Sequence, residues 1–361
     1  MKHKTAIFLI IGIIIMAVML YFIGIDEVIE ALKIANFWYI LLAILVQILT
    51  YYLLALRWNI INKIANINAS IKNILPMILV GLSINNITPS GRSGGEPVRA
   101  YILSKDTKKP YEETFATVIT DRALDMFPFL ILSIISVVSI ILYINISYVI
   151  LIILIVSVIG VTLASVLLIY MSINEKFGEK ATKWIIKLIN RFYKKDPESL
   201  EKKVIKAISG FQKTMKTMLK DKKILYQALP LSFLIWASEI LRVYIVFLAF
   251  GANVSPLLIG EVFIVASLIG MIPLLPGGLG AVEGVMIGFY SSAGISPSIT
   301  AAATLVERAI SFWMTTILGF AILPYYGSSA IDKIKLTNLS EEETVKEVVE
   351  DLDYIENDKE N

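Results

Sequence analysis

The chain has 361 residues, 57% of them apolar and 17% charged, with a mean hydropathy of +0.74 and a formal charge of +3. Apolar runs as long as those found here exclude an ordinary soluble domain. Without cysteine, and with a single histidine, His3, in the basic start of the chain, there is no disulfide or thiol chemistry and no basis for a structural zinc site or a histidine-based triad. The composition is that of an all-α, polytopic helical membrane protein.

Taken in order, Thr5 to Ile25 is 21 residues without a charge, enough to cross roughly 30 Å of hydrocarbon at about 1.5 Å per residue. No small-residue cleavage site follows it, so the expectation is a retained helix rather than a signal peptide. Asp26 to Asn36 reads as a short amphipathic turn of helix at the membrane surface. Trp38 and Tyr39 then open a crossing at interface depth, which runs to Leu56 with Arg57 and Trp58 at its far end. After a polar, basic linker to Lys72, Ile74 to Ile87 is apolar for only 14 residues and stops at a proline-glycine break, which predicts a re-entrant half-helix. Arg92 to Lys109 reads as a basic loop.

Thr114 to Tyr143 gives the next crossing, with Asp121, Arg122 and Asp125 near its inner end. Asn145 to Ser147 turns outside, and Tyr148 to Met171 returns as 24 residues without a charge. Ser172 to Leu225 carries 15 Lys/Arg against 6 Asp/Glu, interleaved with apolar residues, and predicts amphipathic helices on the cytoplasmic face. Tyr226 to Phe250 crosses outward with Glu239 and Arg242 inside it. Leu257 to Leu275 carries Glu261, and Leu279 to Ser292 is short and glycine-rich. Two full spans and a re-entrant hairpin are both compatible with that pair. Ile299 to Tyr325 returns with Glu307 and Arg308, and an acidic tail follows. Gly327 to Asn361 holds 4 Lys/Arg and 11 Asp/Glu with no apolar period long enough to fold alone.

A repeat runs through this order. Pro89 to Glu96 and Pro276 to Glu283 both read P-x-G-x-x-x-x-E. Asp121-Arg122 follows Glu96 by 25 residues, and Glu307-Arg308 follows Glu283 by 24. Arg57 and Arg242 precede the two prolines by some thirty residues each. With both termini cytoplasmic, the Lys/Arg-rich segments fall on one side, as the positive-inside bias requires. The two copies then run in opposite senses through the cell membrane. The expected organisation is repeat one over about 37–171, a basic cytoplasmic segment at 172–225, repeat two over about 226–325 and an acidic cytoplasmic tail at 326–361. Inverted repeats with a broken or re-entrant helix in each are the architecture of many secondary transporters.

The candidate binding residues are the charges this pattern places in or beside apolar segments: Glu96, Arg99, Asp121, Arg122, Arg242, Glu283, Glu307 and Arg308. A lone charge at mid-membrane costs about 2.5–3.5 kcal/mol on insertion scales, so mixed signs imply pairing, within each repeat or across the two. Such pairs either fix the repeats against each other or present arginines to an anionic head group. The glycines of both loops permit sharp turns with exposed N–H groups, or close packing of hairpins. Neither loop is a nucleotide fold, and no nucleic acid, metal or cofactor is expected.

The pair GGEPVRAY and PGGLGAVEG, with Asp121-Arg122 and Glu307-Arg308 downstream, resembles the lysylphosphatidylglycerol synthase transmembrane-region family. That family is also described as the flippase-like domain of the bacterial multiple peptide resistance factor. The resemblance covers roughly residues 5–325. It implies a two-repeat domain moving a lipid between leaflets, with Glu96, Arg99, Asp121 and Arg122 in one half of the cavity and Glu283, Glu307 and Arg308 in the other. Synthase activity is not expected, because only the acidic tail stands where the resistance factor has its aminoacyl-transferase domain.

The leading expectation is therefore a flippase-like protein for a polar or anionic lipid, a phospholipid or a polyprenyl-phosphate-linked sugar. A membrane-embedded lipid-linked transferase, with Asp121 and Asp125 holding a divalent metal, is the rival. A scaffold for a separate synthase, docking through the basic segment, is the third.

Overall fold

In the computed structural model the described residues are 21, 25–88, 94–143, 148–174, 176, 177, 179, 180, 183, 184, 187, 197–271 and 276–326. The expected first crossing (apart from Tyr21 and Ile25), the outer turn at Asn145 to Ser147, much of the basic segment and the acidic tail lie outside them.

Every regular element among the described residues is helical. Helix α1 (Ile25–Lys33) is the amphipathic surface turn, with Val28 and Ala31 buried and Asp26, Glu27 and Lys33 placed to suit the helix dipole. Asn36 then caps α2 (Phe37–Ile64), its side chain accepting from the Trp38 N–H at 3.0 Å. This helix does not end near Leu56 as its apolar run suggests. It continues for two turns past Arg57, which is 0% exposed in the helix interior rather than the first cation of a linker.

Helices α3 (Ile71–Ile87) and α4 (Gly95–Thr107) pack on one another as a hairpin. The second arm corrects the basic loop expected over Arg92–Lys109. Its sequence lacks an apolar period, yet Glu96, Val98, Arg99, Ala100, Tyr101, Ile102, Leu103 and Ser104 are all buried. Val98, Ala100, Ile102 and Leu103 join the apolar core, and ion pairs allow Glu96 and Arg99 to be buried beside them. Gly95 makes the hairpin possible: a Cβ there would sit 1.9 Å from the Gly81 carbonyl oxygen.

The crossing expected over Thr114–Tyr143 is two helices, α5 (Tyr111–Leu124) and α6 (Met126–Tyr143), broken at Asp125. Pro128 explains the break, since its ring opposes the Leu124 carbonyl and it has no N–H to give it. Helix α7 (Tyr148–Ile173) follows, and α8 (Pro197–Lys220) lays Val204, Met215 and Met218 against the bundle, packing on α5.

A π-turn (Ile224–Ala228) leads into α9 (Leu229–Ala249), which packs along α2. The next pair of segments is a second hairpin. Its arms, α10 (Pro256–Gly270) and α11 (Ala281–Ser292), pack together around the Pro276–Gly278 turn. With 15 and 12 residues, they are about 22 and 18 Å long, short of the roughly 30 Å of a bilayer core. Last come α12 (Pro297–Arg308), a π-turn (Ala309–Met314) and α13 (Thr315–Ile322). Five helical stretches among the described residues are long and apolar enough to cross a membrane: Phe37–Ile64, Tyr111–Ser139, Ile155–Ile173, Ile224–Ala249 and Pro297–Tyr326.

Besides a smaller cluster of Phe129, Ile264, Val265 and Leu268, two large apolar cores result. One joins α3, α4, α5 and α8 to the C-terminal half of α2, and takes in Leu323 from beyond α13. The other joins α9 to α12 with Ala43 and Val46 from the N-terminal half of α2.

Candidate functional site

Between these cores lies a cavity of about 890 Å³. Its wall carries Glu96, Arg122, Arg242, Glu307 and Arg308, five of the eight residues singled out in the sequence, together with Asp125 and Glu239. Arg99, Asp121 and Glu283 are buried behind that wall.

In the first half, α2 delivers Arg57 to the α5–α6 break. Its Nε donates to Asp121 Oδ1 at 2.8 Å, its Nη2 to Asp125 Oδ2 at 3.2 Å and its Nη1 to Asp125 Oδ1 and, at 2.8 Å, to Ser232 of α9. Asp121 also accepts from Arg99 Nη2 at 2.7 Å, and the Arg99 guanidinium lies 4.6 Å from the Trp58 ring centroid. Glu96, in the first turn of α4, accepts from Arg122 Nε at 2.5 Å. Asn85 ties the hairpin: its Nδ2 donates to Glu96 at 3.2 Å and its Oδ1 accepts from the Gly95 N–H at 2.6 Å.

The second half repeats the plan. Arg308 Nε donates to Glu283 Oε1 at 2.5 Å, and Arg242 Nη2 donates to Glu307 Oε1 at 2.8 Å. Glu283 closes its own helix N-terminus by accepting the Gly280 N–H at 2.6 Å. The separations match: Glu96 and Arg122 are 26 apart and Glu283 and Arg308 are 25, while Arg57 and Asp121 are 64 apart and Arg242 and Glu307 are 65. Of the two pairings the sequence left open, the glutamate-arginine bonds form within each half.

The halves also differ. Three residues after the loop glutamate stand Arg99 in one and Met286 in the other. Three before the helix arginine stand Leu54 and Glu239, and Glu239 shares Arg242 with Glu307, 2.6 Å from its Nη1. Exposure differs too. The Arg122 side chain is 38% exposed, whereas that of Arg308 is 8% exposed, with Phe312 stacked on it at 4.5 Å.

The hairpin tips meet. A Cβ on Gly277 (φ +57°) would fall 2.8 Å from the Asn86 carbonyl oxygen, and Asn86 Nδ2 donates to Thr316 Oγ1 at 2.9 Å and to the Phe312 carbonyl at 3.2 Å. The Phe312 carbonyl, in the π-turn, also accepts from the Thr316 hydroxyl at 2.6 Å, so Asn86 adds a bond from the other half to groups already paired. Replacing Asn86 by alanine should cost about 1–3 kcal/mol, because two hydrogen bonds across the hairpin tips are lost at about 0.5–1.5 kcal/mol each, while the Phe312 carbonyl keeps the Thr316 hydroxyl. Thermal unfolding in detergent measures it.

Sequence reasoning left Arg57, Asp125, Glu239, Asn85 and Gln47 out of the candidate set. Arg57 had a signal, as the counterpart of Arg242; Gln47, which accepts from Arg242, had only its polarity within an apolar run. The arrangement does not suit a divalent metal at Asp121 and Asp125, since guanidinium groups already occupy the carboxylates. What it offers instead is a largely apolar cavity with charged side chains from both halves set into its wall.

A family model described as "Lysylphosphatidylglycerol synthase TM region" matches residues 9–319. The chain is 50% identical over 334 residues to a UPF0104 membrane protein of Methanothermobacter thermautotrophicus, covering 92% of this chain and 99% of that one. It is 34% identical over 319 residues to a UPF0104 membrane protein of Methanocaldococcus jannaschii, covering 88% and 93%. A glycosyltransferase, AglD, of Haloferax volcanii is 21% identical over 355 residues, covering 92% of this chain and 55% of that protein.

Proposed function

Given that the chain belongs to the lysylphosphatidylglycerol synthase transmembrane-region family, we propose that it moves a polar or anionic lipid between the leaflets of the cell membrane. The observation that carries this reading is the cavity itself, lined by Glu96, Arg122, Arg242, Glu307 and Arg308 from both halves. Its charged side chains suit a phosphate-bearing head group, from a phospholipid or a polyprenyl-phosphate-linked sugar, while the lipid tails stay in hydrocarbon.

In this proposal repeat one (about 37–171) and repeat two (about 226–325) are inverted, and 172–225 and 326–361 lie in the cytoplasm with both termini. The matched ion pairs and the two short hairpins support that division. The basic face of α8 suits a separate synthase that hands over its product.

The test is flipping of fluorescent phosphatidylglycerol and of a labelled polyprenyl phosphate in liposomes. Arg122→Ala and Arg308→Gln should each lose about 2 kcal/mol or more of head-group stabilisation, roughly thirtyfold in rate, while eluting as folded protein. Wild-type flipping by both folded variants would overturn the reading.

The likeness to the Haloferax volcanii glycosyltransferase motivates a second reading, a lipid-linked transferase. Transfer of a labelled sugar to a lipid carrier by the purified chain would support it. Lipid flipping without any transfer product would exclude it.

A further inference from the structure

The carboxylates of the cavity network, Glu96, Asp121, Asp125, Glu239, Glu283 and Glu307, each meet an arginine. Glu261 does not. It lies in the second turn of α10, is 3% exposed, and has no lysine or arginine in ion-pair range among the described residues. Its polar neighbour is the buried hydroxyl of Ser139 on α6.

Helix α10 has two working faces. Val262, Phe263, Ala266 and Ser267 form part of the cavity wall. Glu261, with Ile264, Val265 and Leu268 at helical spacing after it, lies on the other face, where those three pack against Phe129 of α6. Opposite, α6 carries no charged residue but a row of buried hydroxyls, Ser133, Ser136 and Ser139, each about 4.5 Å of helix rise from the next. The Ser133 hydroxyl is buried with no partner of its own. The charged groups on the other helices packed against α10 are engaged elsewhere: Glu239 and Arg242 of α9 with each other, and Glu283 of α11 with Arg308. On α7, Tyr170 accepts from Asn174 Nδ2, and on α9 and α11 Tyr244 bonds Asn253 and Tyr290 packs on Phe247.

We propose that Glu261 is a proton-binding site through which a proton gradient drives movement of the lipid. An ionised acid buried among apolar side chains is costly, and with no cation at hand a proton is the ligand that removes that charge. The serine hydroxyl suits both states, accepting from the carboxylic acid and donating to the carboxylate. Coupling follows from position. Phe263, two residues on, packs edge-on against Trp236 with centroids 5.6 Å apart, and Trp236 Nε1 donates to Asp125 Oδ1 at 3.4 Å. A shift of α10 against α6 on protonation therefore reaches both the cavity wall and the Asp125–Arg57 pair.

This proposal rests on the transport reading for its consequence, but proton binding at Glu261 is measurable without it. In liposomes holding the full chain, fluorescent phosphatidylglycerol should flip at least about fivefold faster with an imposed proton gradient than without, the lower end of ordinary coupling between sites. Glu261→Gln should flip at one rate under both conditions, and Glu261→Asp should regain the response. A gradient response in Glu261→Gln equal to wild type overturns the proposal, as does a wild type that flips lipid indifferently to the gradient. If wild type flips no lipid, the transport reading fails, and infrared spectroscopy still decides the site. A carboxylic-acid carbonyl band at neutral pH, absent in Glu261→Gln and shifted in Ser139→Ala, supports proton binding at Glu261. Its absence from wild type overturns it.

Discussion

Replacing Arg57 by alanine should destabilise the protein by about 3–5 kcal/mol, the usual consequence of removing one partner from a buried ion pair. The guanidinium is 0% exposed and donates to both Asp121 and Asp125. Its loss leaves Asp121 with Arg99 alone and Asp125 with Arg122 at 4.0 Å. It also unties three helices at once, because Ser232 of α9 accepts from the same group. Lysine should not rescue the fold, since an ammonium cannot reproduce a planar fork that reaches two carboxylates and a hydroxyl. Adding Asp125→Asn to Arg57→Ala should recover part of the lost stability, whereas Asp121 must stay charged because it is the carboxylate that meets the buried Arg99. Thermal unfolding of the purified protein, read as loss of monodisperse material, gives the comparison, and equal melting of wild type and Arg57→Ala would refute the assignment.

Gly95→Ala is the second large effect. A new Cβ would stand 1.9 Å from the Gly81 carbonyl oxygen and 2.6 Å from its carbon, both backbone atoms that no rotamer change can move aside. The α3–α4 hairpin must splay, at the top of or above the 1–3 kcal/mol typical of overpacking. Splaying breaks the Asn85–Gly95 bond and carries Glu96 away from Arg122, so function should fall with stability. Gly160→Ala is the matched control. It lies within α7 with nothing inside 4 Å of the added carbon, and a helix-interior alanine should stabilise by about 0.5–1 kcal/mol. Comparable losses from both substitutions would mean that hairpin contact is not the cause.

These two residues also mark what the sequence made legible and what it did not. Hydropathy located the long crossings, because an uncharged apolar run of that length is at home only in hydrocarbon. The paired spacing of Glu96 with Arg122 and of Glu283 with Arg308 offered these bonds as one of two pairings, and they are the ones the structure contains. Charge, by contrast, misled wherever burial is achieved by pairing. Arg57 closed an apolar run and so read as its end, although the helix carries it inside the protein. Helix α4, with Glu96, Arg99, Lys105 and Asp106 in 13 residues, read as a basic loop. Hydropathy treats each such charge as a cost and has no access to the partner, 22 to 68 residues away, that offsets it. The break at Asp125 had a signal in Pro128 that the length of the apolar run masked, whereas the π-turn after Arg308 has no proline or glycine to mark it.

The near-balance of the cavity network has an electrical consequence. Among the described residues it contains five arginines, Arg57, Arg99, Arg122, Arg242 and Arg308, and six carboxylates, Glu96, Asp121, Asp125, Glu239, Glu283 and Glu307. A wall of that kind carries about one net charge through the field when it moves, worth about 2.3 kcal/mol per 100 mV for a full crossing. Arg57, Arg99 and Arg122 balance Glu96, Asp121 and Asp125, and the single surplus charge lies where Glu239, Glu283 and Glu307 meet Arg242 and Arg308. The membrane potential therefore has little purchase on this network, and under the transport proposed above a steep voltage dependence would count the charges on the cargo and the proton bound at Glu261.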